Sequence, residues 1–89
     1  LQYAAHTGHA EVVRLLLDGK PELDRRAPNS QTALMVAARN GHLEVVKLLI
    51  EADADMDLTD ADGLSAMGLA RKAGNTEIAD YLKRQGALE

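Results

Sequence analysis

Four groups of residues in this chain have the types and spacing to suggest chemistry. They are an acidic run at Asp53, Asp55, Asp57, Asp60 and Asp62, the histidines His6, His9 and His42, the serines Ser30 and Ser65, and a basic group at Arg14, Lys20, Arg25 and Arg26. The acidic run is the most suggestive, because D-x-D-x-D opens the calcium loop of an EF-hand, where the sixth position must be Gly and the twelfth Glu. Counted from Asp53, the sixth residue is Leu58 and the twelfth Leu64; moving the frame so that Gly63 is sixth puts Leu58 first. Neither frame supplies the ligands, and a polar, solvated loop is the reading that remains.

His6 and His9 lie close to Glu11, which superficially resembles a metal site. Gly8 stands between the two histidines and breaks any helix there, so they do not share a helical face. No cysteine is present, and neither Ser30 nor Ser65 has an evident base and orienting acid nearby in the sequence. The expectation is therefore a chain with no catalytic residue, no metal and no cofactor. The basic group faces Asp18, Glu22 and Asp24 along the chain and reads as solvated charge.

Composition narrows the classes further. The chain has 89 residues, 10 Lys and Arg against 14 Asp and Glu, and a formal net charge of −4. That balance opposes the electrostatics of a nucleic-acid binder. Two Tyr are its only aromatic residues, so any core must be built from Leu, Val, Ile, Ala and Met. No apolar run approaches the roughly 20 residues needed to span a membrane. The N-terminus lacks the pattern of a signal peptide. The expected location is cytoplasmic, without membrane insertion.

The elements that must position these residues come from a repeat. Gly8, Gly41 and Gly74 recur at an interval of 33 residues, and Glu11, Glu44 and Glu77 keep the same register. So do Val12, Val45 and Ile78, and Leu16, Leu49 and Leu82. A fixed period of this kind marks a stacked array in which each unit buries its apolar face against its neighbours. Within the middle unit, Thr32 is placed to cap a short helix over Ala33–Asn40, and Gly41 to end it in a left-handed conformation. A second helix is predicted from about Leu43 to Ala52, with Val45, Val46, Leu48, Leu49 and Ile50 forming a broad apolar stripe. Polar, turn-rich stretches at Gly19–Gln31 and Asp53–Gly63 read as extended loops between units.

Gly41-His42-Leu43-Glu44-Val45-Val46-Lys47-Leu48-Leu49 resembles the second-helix signature of ankyrin repeats, and Thr32-Ala33-Leu34-Met35-Val36-Ala37-Ala38 resembles their T-P-L-H-x-A-A motif. Ala54-Asp55-Met56-Asp57 is similar to the A-D-V-N that opens the family's hairpin. The resemblance implies an all-α solenoid of stacked helix-turn-helix units with β-hairpin-like loops between repeats. It divides a single domain into a partial repeat over 1–26, a second over 27–59 and a C-terminal capping repeat over 60–89. Departures accompany it. Ala33 and Met35, then Ala66 and Gly68, stand where the family has Pro and His, and Asp53 stands where Gly is usual.

The two ends differ. Arg71, Ala79 and Lys83 charge or shrink the face that would meet a fourth repeat, as a terminal cap requires. Repeat one keeps Val12, Val13, Leu15, Leu16 and Leu17, so an exposed apolar face is expected there, with upstream repeats or another domain to cover it. The expected state is a monomer open to self-association through this uncapped repeat.

By the resemblance, the function is a non-enzymatic protein–protein interaction module that binds a folded domain or extended peptide through a concave face of hairpin tips and first helices. Carried onto this chain, the partner-binding positions are Arg26, Asn29, Gln31 and Arg39, followed by Asn40, Asp62, Leu64 and Lys72. Arg26, Arg39 and Leu64 are the expected anchors. The alternative is a cis-regulatory or structural segment of a larger enzyme, channel or effector.

Overall fold

The computed structural model describes residues 2–18 and 31–86. Arg26 and Asn29 lie outside the described residues, as does most of the first inter-repeat loop. Among the described residues six helices follow in order: α1 Gln2–Thr7, α2 Ala10–Asp18, α3 Ala33–Asn40, α4 Leu43–Glu51, α5 Ala66–Lys72 and α6 Thr76–Arg84. They form three antiparallel pairs. The first helices α1, α3 and α5 stack in one row, and the second helices α2, α4 and α6 stack in another behind it.

The row of first helices is tight because its sequence is small. Ala33, Leu34, Met35, Val36, Ala37 and Ala38 are all buried, so every face of most of α3 meets another element. Alanine at 4, 5, 37, 38 and 70 brings neighbouring backbones close without leaving voids. Behind it, the stripe predicted on α4 divides in two: Val45, Val46 and Leu49 are buried, while Leu48 and Ile50 are half-buried against the core.

The predicted punctuation is present. The Thr32 side chain accepts from the Met35 amide at 3.3 Å, and the Thr32 amide donates to the Met35 sulfur at 3.5 Å. A thioether thus takes the reciprocal place usually filled by Glu or Gln in a capping box. Ser65 caps α5 by accepting from the Gly68 amide. Gly41 ends α3 at φ 81°, which lets its own amide and that of His42 both reach the Ala37 carbonyl. Asp53 does the same work at the end of α4 with φ 71°, its amide donating to Ile50 and that of Ala54 to Leu49.

The loop between repeats two and three forms no strand among the described residues; it is a sequence of turns. The Asp55 carboxylate accepts from the Asp57 amide, and the Asp60 amide donates to the Leu64 carbonyl at 2.9 Å, closing a hairpin-like tip. Within the acidic run, the Asp55 and Asp60 carboxylates therefore close turns. No cluster of metal-ligating side chains occurs among the described residues.

Candidate partner-binding groove

The last turns of the first helices carry one side chain each at matching positions: His6, Arg39 and Lys72. The backbone beneath them is held by the next repeat. His42 Nε2 donates to the His6 carbonyl at 2.9 Å, and Asn40 donates to the same oxygen at 3.2 Å. One repeat later, Asn75 Nδ2 donates to the carbonyls of Ala38 and Arg39 at 2.9 and 3.1 Å. His42 and Asn75 occupy helix N-cap positions, yet neither side chain caps its own helix. Each reaches back instead, fixing the preceding first helix in register. His9, in the same sequence register, lies 3.0 Å from the Thr7 hydroxyl.

Arg39 and Lys72 line a groove of about 320 Å³ between the first helices and the tip of the second hairpin. Gln31, Asp60, Asp62 and Leu64 form the hairpin side of the groove, and Leu69 and Ala73 complete the helical side. Asp60 organises the tip. Its Oδ1 accepts from the amides of Asp62 and Leu64, both at 2.9 Å. The bond from Leu64, with further help from Asp62, Gln31 and the nearby Lys72 charge, holds the Asp60 carboxyl below the ordinary aspartate range against a smaller opposing effect of burial.

Gln31 links the tip to α3. It hydrogen-bonds the Asp60 carboxylate, and its Oε1 accepts from Arg39 Nη1 at 2.7 Å. Asn40 Oδ1 accepts from Arg39 Nε at 3.5 Å. Both acceptors are neutral amides, so Arg39 is oriented without being neutralised. An ion pair joins Arg14 and Glu11, far along the chain on α2.

The structure thus brings together Gln31, Arg39, Asp62, Leu64 and Lys72 in one groove, with Asn40 bonded to Arg39 beside it. One expectation changes. Gln31 was placed on the partner-facing surface, but only 7% of it is exposed, because its amide is consumed between Asp60 and Arg39. The residue that sequence reasoning missed is Asp60. Its signal lay in Asp60-Ala61-Asp62-Gly63, a short acidic residue two before another and three before Gly, which favours a side-chain-closed turn.

Stacked helix pairs joined by left-handed Gly41 and Gly74, with a long turn-rich loop between the second and third pairs, are the geometry of a helical repeat array. A family model described as ankyrin repeats (3 copies) matches residues 1–60. The chain belongs to the ankyrin repeat family. No curated protein matches it. The pair α5–α6 follows the matched residues and continues the same stack, with Ser65 capping α5 as Thr32 caps α3. Ankyrin repeats are in general protein-interaction modules and are typically non-enzymatic. No described helix is long and apolar enough to cross a membrane.

Proposed function

We propose that this ankyrin domain, divided at 1–26, 27–59 and 60–89, binds a protein partner through its concave face. The observation that supports the reading is the groove, where Arg39 is held by neutral amides and keeps its charge available beside Lys72, Asp62 and the half-buried Leu64. Held side chains lose less freedom on binding, which favours a contact site over an unconstrained surface. Arg39 and Leu64 are its anchors, with Asn40, Asp62 and Lys72 around them. Arg26 and Asn29 would extend the same surface along the first loop. Gln31 supports it from beneath.

A cross-linked pull-down from cells that express the parent protein tests this, comparing the domain with an Arg39→Glu variant whose melting curve is unchanged. A partner captured by the first and lost by the second is the expected result. Equal capture by both would remove Arg39 as an anchor. Failure of either to capture a protein would favour a cis-regulatory or structural role.

A further inference from the structure

We propose that the groove takes an extended acidic peptide of a partner protein, with carboxylates set against Arg39 and Lys72 and apolar side chains over Leu64 and Leu69. This rests on reading the concave face as the partner surface. It adds the chemistry of the partner.

Charge gives the first argument. Arg39 and Lys72 project from the last turns of α3 and α5, and neither has an ion-pair partner among the described residues. Asp60 has its carboxylate engaged by two backbone amides and Gln31, which hold it in the hairpin with the Lys72 charge nearby. Arg39, held by neutral amides, and Lys72, near Asp60 without an ion pair to it, can both meet an incoming carboxylate. A guanidinium anchored through one Nη and Nε still offers its second Nη, and hydrogen bonds from ionised donors to carboxylates are the stronger kind.

The second argument comes from spacing. Arg39 and Lys72 are equivalent positions one repeat apart, on helices packed side by side. Packed helix axes lie about 8–10 Å apart. A polyproline-type strand has about three residues per turn at about 3.1 Å each, so its side chains at i and i+3 point the same way about 9 Å apart. Acidic residues three apart on such a peptide match the two cations. The intervening residues are left to meet the floor, where Leu69 is 6% exposed and Leu64 half-buried.

A peptide is favoured over a nucleic acid. The chain carries a net charge of −4, and the exposed Asp62 on the hairpin wall repels a densely charged strand but tolerates isolated carboxylates on the opposite side.

The test uses fluorescein-labelled peptides of repeated Pro-Leu-Glu, in which Glu recurs every third residue, against the same peptides with Gln for Glu. Fluorescence anisotropy with the intact domain should show the Glu peptide binding at least about tenfold more tightly, with the advantage shrinking as salt rises. Arg39→Gln and Lys72→Gln, each checked for an unchanged melting curve, should each erase most of that advantage. Equal binding of Glu and Gln peptides overturns the inference, as does a Glu preference that survives both substitutions. So does an unstructured DNA oligonucleotide binding as tightly as the Glu peptide. If the peptides fail while an Arg39-dependent partner is still captured from cells, the carboxylate chemistry is wrong and the interaction reading stands.

Discussion

Repeats one and two present the same apolar register in opposite surroundings. Val45 and Leu49 on α4 are fully buried, and their equivalents Ile78 and Leu82 on α6 are nearly so, whereas Val12 and Leu16 on α2 are 44% and 41% exposed. Leu15, beside them, is 69% exposed. Val13 and Val46, which face onward along the stack, are buried in both repeats. The difference shows how a solenoid uses its residues: the side chain at a given register is core only when a neighbouring repeat stands against it. The far end is relieved by substitution. Arg71 and Lys83 are exposed where Ala38 is buried and Ile50 half-buried. Repeat three presents a polar surface at these positions, and the described surface of repeat one is greasy.

The sharpest way to break this comparison is to truncate matched leucines. Leu49→Ala should cost about 2–5 kcal/mol, as core truncations do. Leu16→Ala should cost less than about 1 kcal/mol, since much of its side chain already meets water. Urea denaturation of the two variants measures both. Equal losses would mean that the α2 face is covered in solution, by a second copy or by other parts of the chain. Sedimentation of the wild-type domain would then identify self-association.

The repeat junctions can be compared through Gly8 and Gly41. Both are left-handed, at φ 77° and 81°, so alanine at either is strained by about 1 kcal/mol or more. A Cβ on Gly8 would also lie 2.6 Å from Nδ1 of His42, whose ring is tied to the His6 carbonyl. At Gly41 the nearest atom is Asn75 Oδ1, at 3.4 Å. Gly8→Ala is therefore expected to lower the melting temperature more than Gly41→Ala. The reverse order would show that the first junction yields easily.

Smaller effects sharpen the contrast between loop positions. Asp53 holds φ 71°, while the residue at the same register of repeat three is Gly86, at φ 97°. Asp53→Gly should raise stability by about 0.5–1 kcal/mol, because glycine has no side chain to strain there. A loss would assign the Asp53 side chain a stabilising contact. The mildest effect concerns pH. The folded Asp60 carboxyl titrates below its ordinary value of 3.8, so its contribution is fully present above that value and fades as pH falls through the lower folded value. Amide shifts of Asp62 and Leu64 should follow that titration, and Asp60→Asn should abolish it.

The helices were legible because their signals are local. Thr32 and Gly41 mark helix ends through interactions within a few residues, and the structure places those ends where the sequence does. Asp53 was likewise legible as a residue in a glycine position. The groove was only partly legible. The resemblance to ankyrin repeats puts Arg39, Asp62, Leu64 and Lys72 on one surface, but Gln31 lies at the equivalent of Leu64 and gives no sign that its amide is spent inside. That depends on Asp60, which comes from the next loop.

By itself the sequence determined the repeat, the helix boundaries of the middle repeat and the contrast between an apolar first repeat and a polar third one, because period, caps and charge are properties of neighbouring residues. The tertiary structure decided which equivalent leucines are buried, and that His42 and Asn75 bind the previous repeat and leave their own helices uncapped. It also decided that Arg39 is oriented by Gln31 and Asn40 without losing its charge. Those outcomes depend on atoms from segments distant in the chain meeting across a stacking interface, where distance and direction select the partner and sequence separation does not.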